Sequence, residues 1–306
     1  MTNKQDHSFI TVGIGASAGG LTVLKKFVRS LPEKTNMSFI IIQHLDPSHK
    51  SMLGDLLSRE SKLRVKEAEN NEAIKTDCIY VIPPNSYLEV DDGNIVLTKP
   101  PESPGFRKAI DHFFRSLAQE CGENSAGIIL SGSGSDGTAG LRSIKAANGL
   151  ALAQNPKTAE HPSMPESAIH AEVVDKVCEV EEMFKVLSRF EKKPIPKIEP
   201  GDEDKEEGDE QAKDSLSEVS AILKTQEKFN LSQYKPSTVQ RRIGRRMSLT
   251  NTERFDDYLT KLRNDQQERQ LLTKDLMINV TDFFRDSEAF SFLEENIIPD
   301  ILNRVK

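Results

Sequence analysis

This chain of 306 residues has few cysteines, no long apolar run and only a small excess of charge. Its three cysteines, Cys78, Cys121 and Cys178, are far apart and form no C-x-x-C pair, which excludes a disulfide framework and predicts free thiols in a reducing cytoplasm. No apolar run reaches the ~18 residues that a membrane span needs, and the polar residues 1–7 predict no secretory leader. A net charge of −7 argues against bulk binding of nucleic acid.

The most informative segment is the G-x-S-x-G pattern at residues 15–19. Residues 9–14 before it are typical of a short buried strand, and residues 21–28 after it carry apolar side chains at helical spacing. A serine at such a strand-to-helix turn is exposed at the carboxyl edge of a sheet, where N–H groups at the start of the helix can bind an oxyanion. The pattern therefore predicts Ser17 as a nucleophile, provided that a histidine and a carboxylate stand near it.

A histidine and an aspartate follow two further apolar runs. Residues 37–42 lead to His44, and residues 126–130 lead to a loop that contains Asp136. Because residues just past the carboxyl ends of parallel strands share one crevice, we expect Ser17, His44 and Asp136 to form a catalytic triad. Their order in the chain differs from the serine, acid, histidine order of the α/β-hydrolases. We therefore predict an α/β fold with a different, doubly wound and mainly parallel sheet.

The composition changes sharply after this predicted sheet domain, which we place at residues 8–190. Residues 191–214 have few apolar side chains and many acidic ones, which predicts a solvated linker. Beyond the linker, apolar residues repeat at helical spacing, which predicts a small all-α domain over residues 215–270. Residues 271–306 form the last segment.

Four arginines in the all-α part predict a strongly basic helix face. Arg241 and Arg245 are four residues apart, as are Arg242 and Arg246, so each pair lies on one side of a helix. A solvated face, a nucleic-acid helix and a surface for an acidic protein all fit this pattern, although no interleaved aromatic residues support nucleic acid. We hypothesise that these arginines dock on an acidic protein partner.

Three blocks of the chain resemble the signature blocks of the CheB-type protein-glutamate methylesterases of bacterial chemotaxis. They are GASAGG at residues 15–20, QHL at residues 43–45 and GSGSDG at residues 132–137. The resemblance covers residues 8–190 in the family's order. It implies hydrolysis of glutamate methyl esters, with deamidation of glutamine as a second activity.

The resemblance also implies the parts that residues and partners play. It makes Ser17, His44 and Asp136 the triad and the backbone N–H groups of Ala18 and Ser133 the oxyanion site. The family usually has threonine at the position of Ala18 and methionine at that of Ser133, so the resemblance does not predict the rate or the specificity of this chain. The esterase would need no cofactor and no metal. Its partner would be a methylated chemoreceptor or a related signalling protein, with no nucleic acid and no membrane insertion.

The all-α part resembles the amino-terminal helical domain of the CheR-type chemotaxis methyltransferases, at residues 234–247 and at the N-x-T-x-F-F-R block of residues 279–285. The resemblance places three polar side chains of that block near S-adenosylmethionine: Asn279, Thr281 and Arg285. No glycine-rich cofactor loop follows before Lys306, so we expect residues 271–306 to be only the start of a methyltransferase domain, without methyltransferase activity. A receiver domain often precedes such an esterase, but no part of this sequence resembles one, so we expect no phosphorylation control of that kind.

Two other functional classes fit the same residues. The GIGASA run at residues 13–18 also matches the G-x-G-x-x-A fingerprint of dinucleotide-binding proteins, but Gln43 and His44 stand where that fingerprint expects an acidic residue. A catalytically silent scaffold that binds receptors is the other class. No further cluster of metal-ligating side chains accompanies His44 and His49, so we predict no metal site.

Overall fold

The computed structural model describes residues 9–44, 52–100, 108–191, 209–232 and 234–277. Seven strands form one sheet and three further strands form another within these ranges. The strands of the large sheet are β1 (Thr11–Ala16), β2 (Ser38–Gln43), β3 (Arg64–Glu67), β5 (Cys78–Val81), β8 (Ser125–Ile129), β9 (Leu150–Gln154) and β10 (Lys176–Cys178). The small sheet is antiparallel and consists of β4 (Glu72–Ala73), β6 (Tyr87–Asp91) and β7 (Asn94–Thr98).

The large sheet is parallel throughout, in the order β10-β9-β8-β1-β2-β5-β3. From β1 the chain adds strands on one side through β2, β5 and β3, and later on the other side through β8, β9 and β10. The order therefore reverses between β1 and β8, where doubly wound sheets form a ligand crevice. The predicted fold class is confirmed, and the three strands that precede Ser17, His44 and Asp136 are adjacent.

Within the described ranges, six helices cover the two faces of the large sheet. They are α1 (Gly20–Ser30), α2 (Leu53–Ser58), α3 (Ala109–Cys121), α4 (Thr138–Ala146), α5 (Ser163–His170) and α6 (Met183–Glu191). Side chains of α1, α2 and α6 build one apolar cluster with the sheet. Side chains of α3, α4 and α5 build a second cluster that also includes the small sheet. Both faces of each central strand are therefore buried, as is usual in parallel sheets.

Two glycines of β1 allow α3 to lie close to the sheet. A Cβ atom on Gly13 would lie 2.7 Å from the Phe113 ring, and one on Gly15 would lie 2.5 Å from Ile110. Real Cβ contacts are longer than this, so any larger residue would push α3 away. The close approach brings the N-terminus of α3 to the carboxyl edge of β1.

Between residues 209 and 277 of the described chain, four helices follow the sheet domain and share a separate apolar core. They are α7 (Asp209–Gln226), α8 (Pro236–Thr250), α9 (Phe255–Asn264) and α10 (Gln266–Met277). The helical part therefore starts inside the segment that we predicted as a linker, and the predicted boundary at residue 270 lies within α10. Helix α8 packs against both α6 and α10, so the helical part lies directly against the sheet domain.

Candidate active site

The three side chains predicted as a triad meet at the carboxyl edge of the sheet. Ser17 directly follows β1, and His44 directly follows β2. Asp136 lies in the loop between β8 and α4, so the three adjacent strands β8, β1 and β2 each contribute one residue. The register pairs Ala16 of β1 with Gln43 of β2, which aligns the two strand ends.

The three side chains form a continuous chain of hydrogen bonds. Ser17 Oγ lies 3.2 Å from His44 Nδ1, and His44 Nε2 lies 2.8 Å from Asp136 Oδ2. An ionised carboxylate can only accept, so Nε2 carries the proton and Nδ1 is left as the acceptor for the serine hydroxyl. The imidazole is turned relative to the chymotrypsin arrangement, in which Nε2 faces the serine. The ring is one-third exposed, whereas Asp136 is buried.

Backbone groups at the start of α3 hold the Asp136 carboxylate. The N–H of Ile110 donates to Oδ2 at 3.0 Å, and the N–H of Asp111 donates to Oδ1 at 2.9 Å. These N–H groups have no partner within the helix, and the helix dipole there favours negative charge. The buried Asp111 side chain in turn accepts from the Gly140 N–H of α4 at 2.8 Å. Sequence analysis missed this support, because it arises where two helix N-termini meet.

The loop after β8 lies so close to Ser17 that only a glycine fits at residue 132. A Cβ atom on Gly132 would lie 2.9 Å from the Ser17 Cβ and 2.1 Å from the Met164 Sδ. The predicted oxyanion donors flank this contact, since Ala18 follows Ser17 and Ser133 follows Gly132. The hydrogen bonds of the described residues engage neither of these N–H groups. Both remain candidate donors to a developing oxyanion.

Comparison with known proteins identifies the family to which this arrangement belongs. The model of the CheB methylesterase family matches residues 12–187, which is more than half of the chain. This chain belongs to the CheB methylesterase family. A second family model, of the all-alpha domain of CheR methyltransferases, matches residues 214–277. Both resemblances noted in the sequence are thus confirmed.

The similar proteins include enzymes, an uncharacterized protein and a solved domain. A Leptospira interrogans protein named putative protein-glutamate methylesterase/protein-glutamine glutaminase is 34% identical over 60% of this chain and 96% of its own length. An uncharacterized 104.1 kDa protein of Rhodobacter capsulatus is 31% identical over 82% of this chain, which spans only 28% of that protein. The crystal structure of the Thermotoga maritima CheB methylesterase catalytic domain is 28% identical, with a TM-score of 0.55, over 59% of this chain and 97% of that chain. The chain spans about half of the Photorhabdus laumondii methylesterase/glutaminase, at 51%.

A small groove opens beside the imidazole of the CheB methylesterase domain. Its volume is about 180 Å³, and His44 and Gln43 form one wall. The loop between β5 and β6 forms another wall with Pro83 and Asn85, as does Tyr87 at the start of β6. The groove has mixed polar and apolar walls and opens at His44.

The basic helix α8 does not present the exposed face that its sequence predicts. Arg242, Arg245 and Arg246 are 3%, 2% and 5% exposed, and of the four arginines only Arg241 faces solvent. The cause is the packing of α8 between the CheB methylesterase domain and α10. The hypothesis that the four arginines form one docking surface for a partner is wrong for these three.

Backbone carbonyl oxygens of the methylesterase domain accept hydrogen bonds from two of the buried guanidinium groups. Arg242 donates to the carbonyl oxygens of Lys145 at 2.9 Å and Ala146 at 3.1 Å, which end α4. Burial, with the nearby charge of Arg245, lowers the pKa of Arg242 to about 10. Arg245 Nε donates to the Gly149 carbonyl at 3.1 Å. The helical part thus holds the turn between α4 and β9.

Charged side chains of both domains surround Arg245. Its Nη1 lies 2.6 Å from Asp275 of α10, and its Nη2 donates to Asp175 of the methylesterase domain. Lys145 Nζ lies 3.4 Å from Asp175 and 3.6 Å from Asp275. We call Lys145, Asp175, Arg245 and Asp275 the interdomain ion cluster. Burial alone would raise the pKa of the Asp175 carboxyl, but Arg245 and Lys145 hold it below its ordinary value.

The third buried arginine, Arg246, is compensated within the helical part. Its guanidinium makes two hydrogen bonds to the Glu268 carboxylate, at 2.9 Å and 2.6 Å. The Tyr258 hydroxyl donates to the same carboxylate at 2.8 Å. Such bidentate pairing is the geometry that suits arginine best.

The remaining site predictions concern the cofactor, the metal and the thiols. Three residues predicted near S-adenosylmethionine lie outside the described residues: Asn279, Thr281 and Arg285. Among the described residues, no group of three or more histidine, cysteine or acidic side chains could hold a metal ion.

Cys78, Cys121 and Cys178 are free and buried. The described helices include none that is long and apolar enough to cross a membrane.

Proposed function

We propose that this chain is a serine hydrolase that demethylates glutamate methyl esters on chemoreceptor-like signalling proteins. The observation that carries the proposal is the hydrogen-bond chain from Ser17 through His44 to Asp136 in a member of the CheB methylesterase family. Relatives named protein-glutamate methylesterase/protein-glutamine glutaminase support this substrate class. Their names also support deamidation of glutamine as a second activity.

The first half of the proposed reaction forms an acyl-enzyme. Ser17 Oγ attacks the ester carbonyl while its proton moves to His44 Nδ1. The N–H groups of Ala18 and Ser133 donate to the oxygen that becomes negative. Asp136 accepts from Nε2 and stabilises the imidazolium. The proton on Nδ1 then passes to the departing methoxide, which leaves as methanol.

The second half of the reaction releases the glutamate. His44 Nδ1 takes a proton from water, whose oxygen attacks the acyl carbonyl. The tetrahedral intermediate collapses, the bond to Ser17 Oγ breaks, and His44 returns the proton to the serine. The receptor side chain leaves as a carboxylate, and the second proton of the water passes to the solvent. The partly exposed imidazole is consistent with access of both water and a protein substrate.

The proposal includes a partner and a setting for the whole chain. The partner is a methylated chemoreceptor or a related signalling protein, and Arg241 is the one predicted docking arginine that remains available on the surface. We place the reaction in the cytoplasm, since free buried thiols are usual in a reducing compartment. The esterase step needs no cofactor. S-adenosylmethionine would bind only with a complete methyltransferase domain, on the side of Asn279, Thr281 and Arg285.

Methanol release from a synthetic helical peptide that carries a glutamate γ-methyl ester tests the esterase. Ser17→Ala and His44→Ala should each lower turnover by roughly 10⁴–10⁶-fold. His112→Ala is the matched control, because His112 is similarly exposed and also bonds a carboxylate, Glu89, at 2.6 Å. This variant should keep its turnover.

Two outcomes would contradict the assignment. One is that folded Ser17→Ala keeps more than about a tenth of the activity. The other is that the parent chain neither hydrolyses the peptide nor reacts with a fluorophosphonate at Ser17, which would favour the silent scaffold.

A further inference from the structure

One fully buried serine beside the nucleophile is used by no step of the reaction. Ser131 lies just after β8 and has no exposed surface. Its main chain and its side chain both contact the turn that carries Ser17. The Ser131 carbonyl accepts from the Ser17 N–H at 3.0 Å, and its Oγ lies 2.9 Å from the Ala18 carbonyl oxygen.

The direction of the Ser131 hydroxyl proton follows from its neighbours. The backbone N–H of His161 lies 3.0 Å from Oγ and can only donate to it. The hydroxyl proton must therefore point to an acceptor. The Ala18 carbonyl at 2.9 Å is closer than the His161 carbonyl at 3.5 Å, so the hydroxyl donates to Ala18.

This hydrogen bond holds the peptide that joins Ala18 to Gly19. The Ala18 carbonyl belongs to the peptide that precedes Gly19, which is in the left-handed region with a φ of 70°. Glycine populates several backbone regions at low cost, so it does not by itself hold this peptide plane. On the other side, the Ser17 carbonyl accepts from the Gly20 N–H at 2.9 Å. Together the two bonds set the direction of the Ala18 N–H, the proposed oxyanion donor.

A buried glutamine holds Ser131 in turn. Gln154, at the end of β9, accepts from the Ser131 N–H at 2.9 Å and donates to the Thr158 carbonyl at 3.0 Å. Both ends of the amide are therefore satisfied, as a buried polar side chain requires. The neighbouring Gly132 N–H donates to the His161 carbonyl at 2.9 Å, which ties the same loop to the site.

We propose that Ser131 is a positioning residue: its hydroxyl, together with its main chain, which Gln154 holds, keeps the Ser17–Gly19 turn in the conformation that attacks the ester and binds the oxyanion. The inference rests on the proposed function, because it assigns Ser131 a part in the same reaction. The hydroxyl does not touch the substrate. Its loss should therefore lower kcat and leave KM nearly unchanged.

Four variants of the full chain test this proposal with the glutamate methyl ester peptide. Ser131→Ala removes the hydroxyl, and Ser131→Thr keeps it. Ser125→Ala is the matched control, because Ser125 is equally buried at the other end of β8 and donates to the Gly122 carbonyl at 2.6 Å. Gln154→Met leaves the Ser131 hydroxyl in place but removes the acceptor of its N–H.

We expect Ser131→Ala to lower kcat about 10- to 100-fold, since a small misplacement of a nucleophile or oxyanion donor has effects of that order. Ser131→Thr should recover most of kcat. Ser125→Ala should lower the melting temperature by a similar amount and keep kcat. Gln154→Met should lower kcat in the same direction, and it decides the question if Ser131→Ala does not fold.

The positioning role is overturned if Ser131→Ala and Ser125→Ala have the same kcat, or if folded Gln154→Met is as active as the parent. It is also overturned if Ser131→Thr is as inactive as Ser131→Ala. The Ser17→Ala variant separates this failure from that of the proposed function. If Ser17→Ala is inactive, only the role of Ser131 is refuted, whereas an active Ser17→Ala refutes the esterase assignment itself.

Discussion

Replacement of Arg245 by methionine removes the guanidinium at the centre of the interdomain ion cluster. That group lies 2.6 Å from Asp275 and also donates to Asp175, and the two carboxylates are 1% and 0% exposed. Methionine fills a similar volume without charge, so the loss is mainly electrostatic. After the substitution the two carboxylates share Lys145, at 3.4 Å from Asp175 and 3.6 Å from Asp275, and Asp275 also keeps Arg246 at 3.9 Å.

The expected loss of stability is large because both carboxylates remain buried. Removal of one partner of a buried ion pair usually costs about 3–5 kcal/mol, since the other charge stays in a low-dielectric interior. The hydrogen bond from Arg245 to the Gly149 carbonyl adds about 1 kcal/mol. Proteins are stable by only about 5–15 kcal/mol, so we expect the melting temperature to fall by on the order of 10 °C. The contact between the two domains weakens with it.

The chain contains no tryptophan whose fluorescence could report unfolding. Far-ultraviolet circular dichroism during urea and thermal unfolding therefore measures this loss. Arg241→Met is the matched control, because Arg241 is exposed on the same helix, and it should change the free energy of unfolding by less than about 0.5 kcal/mol. Asp175→Asn and the double variant complete a thermodynamic cycle, in which the effects should not be additive. A loss below about 1 kcal/mol for Arg245→Met, or one equal to that of Arg241→Met, refutes the reasoning.

Two further predictions concern titratable groups. The folded-state pKa of Asp175 lies below its ordinary value, so its contribution to stability is present above about pH 4 and is lost as the pH falls through the folded-state pKa. Asp175→Asn should therefore flatten the acid side of the plot of unfolding free energy against pH. Parallel plots for the variant and the parent would contradict this. Burial raises the pKa of Cys178 to about 11 and also raises that of Cys78, so Ellman's reagent should react with these thiols only after unfolding. Rapid labelling of either cysteine in the native chain would show that the described burial is incorrect.

The sequence by itself determined three central strands, the turn that follows the first of them and the residues at the ends of all three. Strand-to-helix boundaries are local patterns, and parallel strands bring their carboxyl ends to one edge whichever strands are neighbours. This is why Ser17, His44 and Asp136 could be predicted as one cluster, although the adjacency of β8, β1 and β2 could not. The two family resemblances rest on the same local blocks, and both are confirmed.

Only the tertiary structure decided which side chains are buried and which atoms meet. The spacing of Arg242, Arg245 and Arg246 predicts helix faces, but it does not say what packs against each face. Arg245 is buried because Asp175 and Asp275, distant in the chain, converge on it and compensate its charge. The orientation of the His44 imidazole and the role proposed for Ser131 depend likewise on hydrogen bonds between segments far apart in sequence. Periodicity and spacing describe one segment at a time, so they carry no information about such partners.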